Sequence, residues 1–245
     1  MSRLSLTGRV ALVTGAGTRV GRSIAERLAS EGMRVAVHYA SSKTGADEAV
    51  ARITAAGGEG SSFQADLTNP EHITSLLRAI ERHFGALDLL VNSAASMTRT
   101  PFGEVSVADF DAAIALNLRA PFLLAQAAAR LLERNDGAVI NIGDHMASEP
   151  WRGYLPHAVA KAGVEALTRH LASAMAPHVR VNCVVPGAVL APEGWGVEHQ
   201  VAFANETPLR RIGSPDDVTD AVVYLAQAPY VTGETLRVDG GRHVR

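Results

Sequence analysis

A chain of 245 residues that is 47% hydrophobic can bury one substantial core. A net charge of −2, 5% aromatic residues and the lack of any basic run argue against a nucleic-acid surface, so the expected partner is a small-molecule substrate. The apolar runs are short, and Met1-Ser2-Arg3-Leu4 lacks the apolar stretch of a secretory signal, so neither a membrane span nor export is expected and the location is read as cytoplasmic. Cys183, the single cysteine, excludes an intrachain disulfide and a thiolate metal cluster, and no metal is expected; Val181, Val184 and Val185 around it read as a buried strand.

In chain order, short β-branched runs alternate with helical patterns, the sequence form of a doubly wound parallel sheet covered on both faces. The expected strands are Val10–Val13, Arg34–Val37, Gly60–Gln64, Leu87–Val91, Ala138–Ile142, Arg180–Val185 and Thr235–Val238. The helical patterns include Ser23–Ser30, Ala46–Ala55, Pro70–His83, a long one over Val107–Arg134, and Pro215–Ala226. The prediction is therefore a single α/β domain over 1–245 with about seven strands. Residues 186–208 are the least regular stretch; Pro192, Gly194 and Gly196 interrupt the periodicity, and the segment reads as a mobile substrate-binding loop.

The first strand runs into Thr14-Gly15-Ala16-Gly17-Thr18-Arg19-Val20-Gly21 and then into a helix. Backbone without Cβ atoms can approach a pyrophosphate closely, and free N–H groups at the helix start attract its charge. Strand, glycine turn and helix in that order read as a Rossmann-like dinucleotide site. A carboxylate ending the second strand would hold the adenosine 2′-hydroxyl of NAD; here the residues are His38-Tyr39-Ala40-Ser41-Ser42-Lys43. With Arg19 nearby, these polar groups suit a 2′-phosphate, so the expected coenzyme is NADPH/NADP.

These motifs resemble the short-chain dehydrogenase/reductase family over nearly the whole chain. Thr14-Gly15 with Gly21 matches its cofactor turn, Asp66-Leu67 its adenine contact, and Asn92-Ser93-Ala94-Ala95 a variant of its Asn-Asn-Ala-Gly segment. Asn117, Lys161, Pro186-Gly187 and Val238-Asp239-Gly240-Gly241 also fall in matching places. Within the family, Arg19 in place of glycine, the His38-Tyr39 segment, Asp144 in place of serine and the segment from Pro186 through Val189 to Glu193 resemble the pteridine reductases.

The resemblance implies a catalytic group of Asn117, Asp144, residue 157 and Lys161, and a homotetramer built through the helix from Val107 and the helix carrying His157 and Lys161, together with the C-terminal segment. The interval 157 − 144 = 13 matches the family's spacing from its strand-end polar residue to its tyrosine, yet His157 stands there. Tyr154 precedes Pro156, a residue suited to a first helical turn, and is expected in the pocket wall. An imidazole can deliver the proton that must accompany a hydride. The expected arrangement has Lys161 on the nicotinamide ribose, His157 orienting substrate or relaying a proton, and Asp144 sharing in protonation. At the place of the aromatic residue that stacks on a pterin the chain has Met97, beside Ser96; Trp195 in the irregular loop is a second candidate substrate contact. Three readings stay open: an NADPH-dependent reductase of a pterin-like heterocycle, a reductase of a ketone or 3-oxoacyl group, and a nucleotide-sensing protein without turnover.

Overall fold

A computed structural model of the chain describes residues 3–190 and 196–244. Seven strands form one parallel sheet in the order β3-β2-β1-β4-β5-β6-β7: β1 (Val10–Val13), β2 (Arg34–Tyr39), β3 (Glu59–Gln64), β4 (Leu89–Asn92), β5 (Ala138–Ile142), β6 (Arg180–Pro186) and β7 (Thr235–Val238). Eight α-helices accompany them among the described residues: α1 (Arg19–Ser30), α2 (Lys43–Ala55), α3 (Pro70–Phe84), α4 (Val107–Ile114), α5 (Ala120–Glu133), α6 (Leu155–Met175), α7 (Val197–Glu206) and α8 (Pro215–Gln227).

Strand alternation divides the core into two layers. Ala11 and Val13 of β1 face a cluster with Ile24 and Leu28 of α1 and Val222 of α8, while Val10 and Leu12 face Ile80 of α3, Leu124 of α5 and Leu171 of α6. Cys183 is buried in β6, as its valine neighbours predict. Helix ends follow local chemistry. Asn69 accepts the Glu71 amide at the start of α3, Pro70 takes the first turn and Gly85 (φ 78°) ends the helix. Ser106 with Asp109, and Ser214 with Asp217, form capping boxes on α4 and α8, each such cap contributing about 1 kcal/mol.

One sequence expectation holds and one is corrected. The helical pattern over 107–134 is continuous over Val107–Glu133, with a π turn at Ala115–Arg119 between α4 and α5 that carries the buried Asn117. Apolar periodicity continues across one wide turn, so it does not register the interruption. The irregular stretch 186–208 holds the ten-residue helix α7: Pro192 and the glycines end before Val197, and Ala202, Ala204, Glu198 and Glu206 are good helix formers. By length and composition Val107–Glu133 is apolar enough to cross a bilayer, but it buries Ala120, Leu124, Ala125, Ala128 and Leu132 against the sheet.

The strand order reverses between β1 and β4, and a crevice opens at the carboxyl ends of strands on either side of such a point. Thr14 ties the two strands there: its hydroxyl accepts the amides of Ser93 (2.9 Å) and Ala94 (3.0 Å) and donates to the Val91 carbonyl (3.3 Å).

Candidate active site

A cleft of about 950 Å³ runs from the turn after β1 to the start of α6. Its first end is lined by Gly15, Arg19, Val20 and Gly21, with His38, Tyr39, Ser41 and Ser42 beyond β2. Asp66 and Leu67 form one flank, Ser93 and Ala94 the floor, and Pro186, Gly187 and Val189 the far side. Gly15 must be glycine twice over, since its φ is 66° and a Cβ would lie 2.8 Å from the Ala94 Cα. A Cβ on Gly21 would lie 2.4 Å from the Gly15 carbonyl oxygen.

This end is built for an anion. The N-cap Thr18 makes no side-chain bond to the first turn of α1, and no acidic residue occupies that turn, so the helix start presents its amides and positive dipole end to the cleft. Arg19 is exposed there with φ 51°, a left-handed conformation that costs a non-glycine residue roughly 1–2 kcal/mol. A guanidinium held at that cost on the same cleft as Ser41 and Ser42 suits a phosphate. His38 is different from the expectation. Its Nδ1 accepts the Gly15 amide (3.1 Å), which leaves the proton on Nε2 to donate to the Ala65 carbonyl (3.1 Å). Burial pushes the imidazole down to about 4, so His38 is a neutral brace of the glycine turn and not a cation for a phosphate. Asp66 spends one oxygen on the amide and hydroxyl of Thr68 (2.9 and 2.7 Å), which fixes that flank and holds its carboxyl below the usual range.

At the other end β5 and α6 bring Asp144, His157 and Lys161 together on the cleft wall. Lys161, one turn beyond His157 on α6, is buried and donates from Nζ to the Ile142 carbonyl (2.6 Å), with two donors remaining; burial lowers its ammonium below the usual value, against the pull of Asp144. The His157 Nε2 lies 3.2 Å from Asp144 Oδ2, and its Nδ1 lies 3.0 Å from the Ser96 carbonyl oxygen. Burial alone would raise the Asp144 carboxyl, but the bond to His157, the neighbouring His145 and the Met146 amide outweigh it and hold the acid below its ordinary value.

Asn117, on the π turn, does not line the cleft. Its Oδ1 accepts the Ser96 amide and its Nδ2 donates to the Ser96 carbonyl, both at 2.9 Å, so the carbonyl that meets His157 is itself held. Asn92 is also behind the wall: its Nδ2 donates to Asn141 (2.8 Å), which donates to Thr168 (2.9 Å), bracing β4, β5 and α6. Thr14 likewise acts from below the floor. Met97 and Ser96 line the cleft, but Tyr154 does not; it caps the start of α6, and the aromatic wall is Trp151. Trp195 lies outside the described residues. Sequence reasoning missed Trp151 and His145, although both stand between Asp144 and His157, a stretch whose loop must border any group placed there.

The family model described as enoyl-(acyl carrier protein) reductase matches residues 15–243. The chain is 37% identical over 244 residues to a 3-oxoacyl-[acyl-carrier-protein] reductase of Synechocystis, covering 97% of this chain and 98% of that protein. It is 36% identical to 3beta-hydroxysteroid dehydrogenase 1 of Eggerthella lenta, over 96% and 94% of the two chains. Among solved structures, a blue fluorescent protein from a metagenomic library in complex with NADPH superposes with a TM-score of 0.90 at 32% identity, covering 98% and 99% of the two chains.

Proposed function

The chain belongs to the short-chain dehydrogenase/reductase family and is an oxidoreductase, and on that premise we propose that it reduces a ketone or 3-oxoacyl group with NADPH, using His157 as the proton donor. The observation that carries this reading is the pair of contacts at His157. Both ring nitrogens face oxygen acceptors, so the unit is fully bonded only when Nδ1 carries one proton and a second lies between Nε2 and Asp144 Oδ2. The Asp144 carboxyl, held below its ordinary value, faces Nε2 as the acceptor of that bond.

NADP(H) is supported by the anion-binding end of the cleft, by Arg19, and by the NADPH complex of the structural relative. NADPH supplies hydride at the nicotinamide end of the cleft. Lys161 would offer its two remaining donors to the ribose hydroxyls of the bound coenzyme. As negative charge grows on the substrate oxygen, Nε2 of His157 gives up its proton and the ring falls back to the neutral form with Nδ1–H on Ser96. Asp144 stabilises the protonated ring before the step, and a proton taken up from solvent restores the bond between Nε2 and Oδ2 after it. Asn117 keeps the Ser96 carbonyl, and hence the ring, in place.

A carbonyl substrate is favoured over a pterin. The relatives with named activities act on a 3-oxoacyl group and a 3β-hydroxysteroid, and position 97 presents a half-exposed methionine in place of a stacking ring. We also read the protein as a cytoplasmic homotetramer, supported by the apolar side chains left exposed on α4 to α6, namely Val107, Phe122, Leu155 and Val159. The test is coenzyme oxidation with paired panels of β-keto thioesters, cyclic ketones and dihydropterins. Rapid oxidation by ketones supports the reading; oxidation by dihydropterins alone, or binding of NADPH with no turnover, contradicts it.

A further inference from the structure

The most tightly held charge outside the catalytic group is Arg242, in the short C-terminal turn Arg242–Val244. Its side chain is only 4% exposed. The guanidinium meets Glu149 with both arms of its fork, Nε to Oε2 at 2.7 Å and Nη2 to Oε1 at 2.6 Å, and reaches Glu206 of α7 at 3.5 Å. Its centre lies 4.2 Å from the Phe203 ring and 5.7 Å from the Trp151 ring. Three chain segments therefore converge on one cation: the C-terminal turn, α7, and the loop between β5 and α6.

The convergence extends to the cleft wall. Glu149 also takes a hydrogen bond from Trp151, and with Arg242 beside it the carboxyl is pulled down to about 2. Trp151 packs edge-on against Phe203 (6.1 Å) on one side and against His145 (5.2 Å) on the other. His145 adjoins Asp144, its Nδ1 lying 3.3 Å from Oδ1. A line of rings thus runs from the carboxylate of Asp144 to the C-terminal turn, and Trp151, the larger of its two rings that line the cleft, stands beside His145. A bidentate, stacked guanidinium is not replaceable by a lysine, which offers a single point charge and no planar face.

We propose that Arg242 is a positioning residue for substrate recognition: it locks Trp151 as the wall against which the apolar body of a ring-bearing ketone lies. The proposal rests on the carbonyl-reductase reading and adds the class of substrate, a ketone with a fused or bulky apolar ring next to the reacting carbon. Aromatic side chains bury large areas at low conformational cost, so a fixed indole favours a flat ring over a small chain.

The test compares 1-tetralone, a bicyclic ketone, with ethyl acetoacetate in the wild type, Trp151→Leu, Trp151→Phe, Arg242→Lys and the double variant Arg242→Lys/Trp151→Leu. KM and kcat are read by coenzyme oxidation, and Kd for 1-tetralone by isothermal titration calorimetry on the NADP-bound protein. The expected result is a rise of about tenfold in KM and Kd for 1-tetralone in Trp151→Leu and in Arg242→Lys. Trp151→Phe should stay within about twofold, kcat and NADPH affinity should hold, and ethyl acetoacetate should be little affected. The double variant should be no worse than Trp151→Leu, because both changes remove the same wall. Additive losses, parallel weakening of NADPH, or no binding of 1-tetralone by the wild type would overturn the proposal. Wild-type binding of 1-tetralone that follows this pattern without reduction supports the wall and contradicts the carbonyl-reductase reading alone.

Discussion

His157 and Asp144 face each other across 3.2 Å, Nε2 to Oδ2, while the opposite edge of the same ring is fixed on the Ser96 carbonyl. The contact brings Nε2 and the carboxylate within hydrogen-bond reach of each other, and the Ser96 carbonyl fixes the direction in which the ring points.

Removing the carboxylate charge tests the pair directly. Asp144→Asn keeps the shape but no longer stabilises the imidazolium, a loss on the order of 1.5–3 kcal/mol for a hydrogen bond to a charged group. We expect kcat to fall about ten- to a hundredfold at saturating substrate and coenzyme. With a side chain as proton donor, the wild-type rate should decline as pH rises. His145 and Lys161 flank the same carboxylate, so the comparison is between full pH–rate profiles and not single rates.

Arg19→Gly should move stability and binding in opposite directions. Glycine relieves the φ of 51° and should raise stability by about 1 kcal/mol, while loss of the guanidinium should raise KM for NADPH about tenfold and leave KM for NADH nearly unchanged. Urea unfolding and coenzyme titration of the same variant read the two effects separately.

The fold and both ends of the cleft were legible because they rest on local signals. Alternating valine-rich runs predicted the sheet and the glycine turn predicted the anion site, while the pairing of Asp144 with His157 came from the family resemblance, whose interval of 13 residues the chain keeps. Roles set by tertiary geometry were not legible. His38 reads as a polar ligand for a phosphate, but its neighbours Gly15 and Ala65 come from other strand ends and make it a neutral brace. Asn117 reads as part of a catalytic group, yet the π turn aims it at the Ser96 backbone and off the cleft. Arg242 carries no local signal, since its partners at 149, 203 and 206 meet it only in the folded chain.

Asn117→Leu should separate these roles. Loss of both bonds to Ser96 frees the carbonyl that orients His157, so kcat should drop about tenfold or more while the affinity for NADPH, whose phosphates bind elsewhere, changes little. Single-turnover rates and coenzyme binding on one preparation distinguish this from general loss of fold.

His38 predicts an acid-side loss of stability. Its folded value of about 4 lies below the unfolded 6.5, so the unfolded chain takes up this proton first. The contribution is complete above pH 6.5 and is lost as pH falls from there through 4, at most about 3 kcal/mol. In His38→Asn, unfolding free energy measured by urea should fall less steeply over that interval than in the wild type.

The central claim is that the imidazole at 157 delivers the proton. The most direct measurement is the single-turnover rate of NADPH oxidation with a reducible ketone in the wild type and in His157→Phe, across pH. The account predicts a loss of about a hundredfold or more in the variant with coenzyme affinity retained, and a wild-type rate that declines as pH rises. Full activity in His157→Phe with a flat pH profile would contradict it.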